Sequence, residues 1–345
     1  MSRVAVVLFN LGGPDSLEAV EPFLYNLFSD KAIVALPNPV RALVARLIAR
    51  RRGKVARHIY ARMGNASPIV ANTETQAKAL EQALGPGFRC FIAMRYWPPL
   101  SEAVAAAVKA WRPEEVALLP LYPQFSSTTT ASSLSAWRRA TAKVGLAAPT
   151  RAVCCYPAEP GFIAALAARL AAALAEWPAG TPVRVLLSAH GLPQRIVARG
   201  DPYQAQIEAT AAALRERLGR EVETVVCYQS RVGPLRWLEP ATDAEIRRAG
   251  ATGVGLIVLP IAFVSEHSET LVELDLDYGT VAREAGVPRY VRAPTVGCDP
   301  AFIAGLASLV RGALARGVAL APPGGQRLCP FGSALCPFPA GGVAR

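Results

Sequence analysis

Short, continuous apolar runs alternate along the chain with longer stretches whose apolar residues recur at helical spacing. Val4–Phe9, Arg89–Met94, Val116–Leu121 and Thr150–Cys155 predict four strands in the first half. Val183–Ser188, Thr224–Cys227, Val254–Leu259 and Tyr290–Ala293 predict four more in the second. Continuous rather than alternating apolar residues are what strands covered on both faces require. Helical periodicity at 72–84, 101–111, 161–176, 202–218 and 240–249 places a helix between successive strands, so the chain reads as βαβ units. The expectation is an α/β protein of two similar halves, each a four-stranded parallel sheet flanked by helices. The halves are expected at residues 1–150 and 151–300. A helix at 300–316 is expected to return onto the first half, followed by a Cys-containing tail at 317–345.

Ligands of open parallel sheets bind beyond the carboxyl ends of the strands, so the residues that follow each run matter most. The first strand leads into Asn10-Leu11-Gly12-Gly13-Pro14, the second into Arg95-Tyr96 and the third into Tyr122-Pro123-Gln124. The fifth ends in Ser188-Ala189-His190-Gly191, the sixth in Tyr228-Gln229-Ser230-Arg231 and the seventh in Ser265-Glu266-His267. Six such endings predict a cleft. The LGGP at 11–14 is not a nucleotide loop: it lacks GxGxxG and the P-loop Lys-Ser/Thr, and Pro14 removes an N–H that phosphate would need. It reads as a tight strand-to-helix turn.

Two of the three histidines, His190 and His267, fall just past predicted strand ends. SEHSETL is not HExxH, so zinc-protease chemistry is not indicated. If a helix starts here, Glu266, Glu269, Glu273 and Asp277, spaced 3, 4 and 4 apart, share one face. A solvated face is the plainer reading. Against it, like charges at i,i+4 cost a few tenths of a kcal/mol each, and residues 265–282 contain no Lys or Arg to offset them. A column of acids beside His267 suits the movement of protons or divalent cations.

Charge changes the picture at one place. Of the net +11, residues 41–62 supply eight positive charges, leaving +3 for the remainder, so the basicity is a local patch. Within it Val40, Leu43, Val44, Leu47 and Ile48 form an apolar helical stripe flanked by Arg, as in a helix that lies in a membrane surface. The same stripe would serve a core-packed helix. Nucleic acid is not expected, because Tyr60 is the only aromatic available for stacking. No basic and apolar leader opens the chain, and no apolar run approaches the roughly 20 residues of a membrane span, so a cytoplasmic chain is expected. Seven cysteines in such a chain read as thiols or metal ligands rather than a disulfide framework.

NLGGPDS (10–16), YARMGNASPI (60–69), MRYWPP (94–99), YPQFSSTTTASSL (122–134), LSAHGLPQRIVARGDPY (187–203), CYQSRVGPLRWLEP (227–240) and LPIAFVSEHSETLVELD (259–275) together resemble the ferrochelatase family, which inserts ferrous iron into a porphyrin. The resemblance runs in order from residue 10 to the helix near 300–316. It implies two Rossmann-like domains (the chelatase fold) with the macrocycle held in the cleft between them. It also implies that His190 is nearest the pyrrole nitrogens, as proton acceptor or metal contact, with Glu269 its partner. His267, Glu266, Glu273 and Asp277 would form the outer path for protons or iron. Porphyrin contacts are implied for Asn10, Leu11, Tyr60, Arg95, Tyr96, Trp237 and Phe263, and propionate contacts for Arg52, Ser67 and Ser230.

Metallation must remove two in-plane N–H protons and strip water from Fe²⁺. A His of ordinary pKa near 6.5 takes a proton at neutral pH, and a neighbouring carboxylate passes it on. The segment matching 36–52 is a hydrophobic lip on the membrane surface in animal enzymes, and the stripe at 40–48 favours protoporphyrin IX and peripheral attachment to an inner membrane. A coproporphyrin ferrochelatase and a non-catalytic porphyrin-binding protein are the alternatives. Animal enzymes also carry a 2Fe–2S cluster on three C-terminal cysteines and one internal one. Here the expected ligands are Cys329 and Cys336 of the tail with the Cys154/Cys155 pair, Cys227 or Cys298 being able to replace one of that pair. The alternative is free thiols.

Overall fold

In a computed structural model, residues 3–219, 222–316, 319–330 and 332–338 are described. The first half runs β1 (Val4–Asn10), α1 (Val20–Phe28), α2 (Val40–Ala61), α3 (Ile69–Leu84), β2 (Phe88–Met94), α4 (Ser101–Trp111), β3 (Glu115–Pro120), α5 (Thr130–Val144) and β4 (Thr150–Val153). It continues with α6 (Pro160–Ala175), β5 (Val183–His190), α7 (Gln194–Ala198), α8 (Tyr203–Leu218), β6 (Glu223–Gln229), α9 (Thr242–Ala251) and β7 (Gly255–Pro260). A π-helix (Glu269–Asp277), α10 (Tyr278–Glu284), β8 (Tyr290–Arg292), α11 (Pro300–Ala315) and β9 (Leu320–Ala321) follow.

All eight apolar runs are strands. One sheet has the order β2-β1-β3-β4-β9 and the other β6-β5-β7-β8, with every pairing parallel. The first sheet thus has five strands, not the four expected. β9 pairs through only Ala152–Leu320 and Val153–Ala321, and two residues carry no period that a sequence reading could recognise. The chain divides into two compact units: Met1–Cys155 with Leu306–Arg327 and Pro337–Arg345, and Tyr156–Gly305 with Leu328–Cys336.

The continuous apolar runs are explained by cover on both faces: every residue of β1 and of β7 is buried. On one face of the first sheet Ala5, Val7, Phe9, Val116 and Leu118 meet Val104 and Val108 of α4 and Leu134 and Trp137 of α5. In the second unit Leu186, Cys227, Leu256 and Val258 meet Ile246 and Ala249 of α9, Leu274 of the π-helix and Ala282 of α10.

Helix α2 turns a different face inward from the one its apolar stripe suggested. Ala45, Ala49, Gly53 and Tyr60 are its buried residues, and Ala49 and Tyr60 join the cluster formed by Val20, Phe23 and Leu24 of α1. Small residues let two helix backbones approach closely, so the large ones are turned out. Leu43 is 72% exposed and Val55 66%, with Val40 and Leu47 at 50% each. Val44 and Ile48 are half-buried.

Candidate active site

Strand order reverses at the first strand of each unit: β1 lies between β2 and β3, and β5 between β6 and β7. Such a switch point opens a crevice beyond the carboxyl ends of the two strands involved. In the second unit those strands are β5, which ends in His190, and β7, which leads into Ser265-Glu266-His267. This is why two histidines far apart in sequence are neighbours. Gly191 makes the turn possible. Its N–H donates to the Gln229 carbonyl at 2.8 Å, and a Cβ there would lie 2.7 Å from that oxygen.

The two imidazoles are held alike. Nδ1 of His190 lies 2.6 Å from the Gly191 carbonyl, and Nδ1 of His267 lies 3.0 Å from that of Ser265. A carbonyl only accepts, so both Nδ1 atoms carry hydrogen and both rings exchange protons at Nε2. Each Nε2 faces one oxygen of the same carboxylate. His190 is 3.5 Å from Glu269 Oε1 and His267 is 3.5 Å from Glu269 Oε2. The His190 side chain is 40% exposed while that of His267 is 9% exposed, so the outer imidazole meets solvent and the inner one does not. Burial pulls the His190 pKa down, but the charges of Glu269 and Glu273 and the hydrogen bond to Gly191 prevail and push it up to about 9. Burial likewise pushes Glu269 up. The His190 charge and hydrogen bonds from both imidazoles outweigh it and hold the carboxyl well below its usual range. At neutral pH the resting pair is imidazolium and carboxylate.

Glu273, one turn on, sits in a cradle of donors. Its Oε1 accepts from the Ser230 N–H at 2.7 Å and the Tyr278 hydroxyl at 3.2 Å, and its Oε2 from the Ser230 hydroxyl at 2.5 Å and Gln229 Nε2 at 3.1 Å. Burial and the nearby Glu269 charge nevertheless raise its pKa. Gln229, buried at the end of β6, also donates to the Glu269 carbonyl at 2.9 Å and accepts from Ser188 at 2.8 Å, so it ties the π-helix to the sheet. Tyr203 donates to the His190 carbonyl at 3.0 Å.

The expected single face of acids is corrected here. Glu266 precedes the helix, which begins at Glu269, so it is not part of a helical column. Glu269 points to the histidines, Glu273 to the end of β6, and Asp277 is exposed. Nor are the acids uncompensated. Arg292 on β8 donates to Glu266 at 3.0 Å and holds both oxygens of Asp275 at 2.5 and 2.9 Å. Burial raises the Glu266 carboxyl, but Arg292 and hydrogen bonds from Thr270 and Thr295 bring it below its ordinary value. Ser230, expected at a propionate, has its hydroxyl on Glu273. Phe263 stacks edge-on against His267 with ring centroids 4.6 Å apart. Trp237 is half-buried and bridges back to Pro193.

At the switch point of the first unit the residues are mostly neutral. Asn10 ends β1, buried, donating to Thr73 at 3.0 Å and accepting from Leu11 N at 2.8 Å. Gly13 has no room for a side chain, since a Cβ would lie 2.5 Å from Ser67 Oγ. LGGP opens a connection of residues 11–19 between β1 and α1, longer than the tight turn expected. Ser67 N donates to the Pro14 carbonyl at 2.8 Å. Beside it, Asp30 gathers residues that the sequence did not connect to it. It accepts from Arg95 at 2.7 Å, from the Tyr96 hydroxyl at 2.8 Å and from the Ser132 hydroxyl. Burial raises the Asp30 carboxyl, but Ser132, the Ala32 N–H and Arg95 bring it below its usual value. Tyr96 is raised well above its own, by burial and then by Asp30. Tyr60 is buried in the α1/α2 core, and Arg52 is exposed, 5.9 Å over the Phe28 ring.

Cys154 and Cys155 are buried beside Phe125 with sulfurs 2.9 Å apart. Cys329, in the other unit, accepts from Gln206 at 3.1 Å. Among the described residues no group of three or more His, Cys, Asp or Glu side chains is gathered to hold a metal ion.

The solved structure of SirB from Bacillus subtilis with Fe³⁺ superposes with a TM-score of 0.55 at 13% identity, covering 92% of this chain and 97% of that one. Sirohydrochlorin chelatase SirB from Bacillus subtilis subspecies spizizenii, in complex with cobalt, gives 0.52 at 11% identity, over 90% and 95%. At these identities the likeness is one of fold alone, and the fold class is that of the chelatases. The family model "Ferrochelatase" matches residues 3–314. The ferrochelatase of Phenylobacterium zucineum (strain HLK1) is 53% identical over 99% of this chain and 100% of its own length. That of Caulobacter vibrioides (strain NA1000 / CB15N) is 52% identical over 90% of each. The chain belongs to the ferrochelatase family, whose reaction is the insertion of Fe²⁺ into a porphyrin in haem synthesis.

Proposed function

We propose that the porphyrin is protoporphyrin IX and that His190, Glu269 and His267 carry its protons away. The observation behind this reading is the array itself: two imidazoles locked with Nδ1–H on backbone carbonyls, each presenting Nε2 to one oxygen of Glu269. A proton taken up at His190 Nε2 has Glu269 as its immediate neighbour and His267 beyond. His190, pushed up to about 9, first gives its Nε2 proton to this chain of groups. Its ring then accepts a pyrrole N–H proton as Fe²⁺ enters. Glu273, raised by burial and the Glu269 charge, is a second acceptor for the two protons that each turnover releases. Imidazole and carboxylate suit the transfer of Fe²⁺ better than thiolates, which would retain it. Bound distortion of the macrocycle, compensated by contacts remote from the nitrogens, would expose the lone pairs.

The choice of protoporphyrin rests on α2, whose exposed Val40, Leu43, Leu47 and Val55 suit an apolar porphyrin edge and a lipid surface. Four carboxylates would be better served by a polar lip. The same face supports peripheral attachment to the cytoplasmic side of the inner membrane. No helix among the described residues is long and apolar enough to cross a membrane. Purified protein is to be given Fe²⁺ with protoporphyrin IX or coproporphyrin III, and the loss of porphyrin fluorescence followed without oxygen. Faster turnover of protoporphyrin IX is expected. Preference for the tetracarboxylate would overturn the specificity, and binding of either porphyrin without turnover would overturn the mechanism.

A further inference from the structure

The first unit contains a cavity of about 600 Å³ whose walls come from the segment after α1, the start of α2, the residues after β2 and the first turns of α5. Four cationic side chains, Lys31, Arg41, Arg95 and Arg139, line it against a single carboxylate, Asp30. That carboxylate is already saturated, accepting from Arg95, Tyr96, Ser132 and the Ala32 N–H. Arg95 forms the floor, its Nε on Ser132 and its Nη2 on Asp30, both at 2.7 Å. The donors above the floor are less occupied. Arg41 gives Nη1 to the Leu36 carbonyl at 2.7 Å, but its buried Nε meets no acceptor among the described residues. The buried Ser29 hydroxyl, also in the wall, has no partner there either. Ser132, Ser135 and Arg139 stand at i, i+3 and i+7 on α5, on one face of the helix. Arg139 is steadied from that face by Ser135 at 2.7 Å. The helix N-terminus adds favourable potential for negative charge.

We propose that this cavity binds a small multivalent oxyanion, a polycarboxylate or a phosphate. Guanidinium forks match both groups in a bidentate manner, and three uncompensated positive charges call for an anion of more than one charge. The inference does not rest on the choice of porphyrin or on the proton path, because the defining titrations are made with neither porphyrin nor iron present.

The test is calorimetric titration of the full-length protein at low ionic strength with citrate, pyrophosphate and inorganic phosphate in separate arms. One saturable site is expected for citrate or pyrophosphate, and the stronger arm identifies the source of the oxyanion. Arg41→Gln and Arg139→Gln should each weaken it at least tenfold while the thermal midpoint stays within a few degrees. Arg217→Gln, an exposed charge of the other unit, should leave it unchanged. Three results would overturn the inference: no saturable binding in any arm, equal weakening by Arg217→Gln, or loss of the citrate signal in porphyrin-saturated protein. The last would assign the cavity to porphyrin itself.

Discussion

The two units share the strand order 2-1-3-4 and differ in what stands at the point where it reverses. In the second, His190, Glu269 and His267 gather beyond the switch strands as a chain of imidazole, carboxylate and imidazole. In the first, the corresponding ends present Asn10, Leu11 and Tyr122, and Arg95 is bound with Tyr96 and Ser132 to Asp30. One topology thus supports two uses. The second unit keeps titratable groups partly exposed, with Nε2 atoms 3.5 Å from their acceptor. The first ties Asp30 and Arg95 into short hydrogen bonds, as a structural cluster does.

The comparison is broken most directly by His190→Ala. Removing a general base typically costs 10²–10⁴ in rate, so kcat should fall at least about a hundredfold, about 2.7 kcal/mol. The fold should be retained, since the ring is 40% exposed. Turnover within tenfold of wild type would remove the second unit's claim to the chemistry. The mirror experiment is Asp30→Asn, which leaves Arg95, only 17% exposed, without its counter-ion. Breaking a buried pair costs about 3 kcal/mol, read as a lower urea midpoint, with kcat kept within tenfold. Undiminished stability with lost turnover would reverse the roles of the two clusters.

A finer test uses pH. His190 titrates higher in the folded chain, about 9, than in the unfolded one, near 6.5. Its pairing therefore stabilises fully below about pH 6.5 and is lost as pH rises toward 9. Wild type should lose thermal midpoint relative to Glu269→Gln across that window, and parallel curves would show that the pair does not couple. The smallest effect is expected from Leu43→Ser with Leu47→Ser. Both side chains are exposed, so stability should change by no more than about 0.5 kcal/mol each. Co-sedimentation with anionic vesicles should drop several-fold, and marked destabilisation would mean that these residues pack against the core.

Eight strands were legible because cover on both faces leaves an unbroken apolar run, and their carboxyl ends pointed to His190 and His267. The motif resemblance, not periodicity, singled out Glu269 between them. Less was legible in α2, where the apolar stripe and the buried face diverge. Packing against α1 selects small residues, and hydrophobicity alone does not record that choice.

What the sequence determined by itself was the alternation of buried strands and amphipathic helices, and with it the chemistry available at each strand end. Which groups pair there was decided by tertiary structure. Arg292, on β8, neutralises Glu266 and Asp275, and Gln229 and Ser230, at the end of β6, fill the oxygens of Glu273. Glu269 meets the histidines, Glu273 the end of β6 and Glu266 the guanidinium of Arg292. Electrostatic partners act through space at a few ångströms, so a charge column read along the chain counts only its own neighbours. The folded sheet supplies the others.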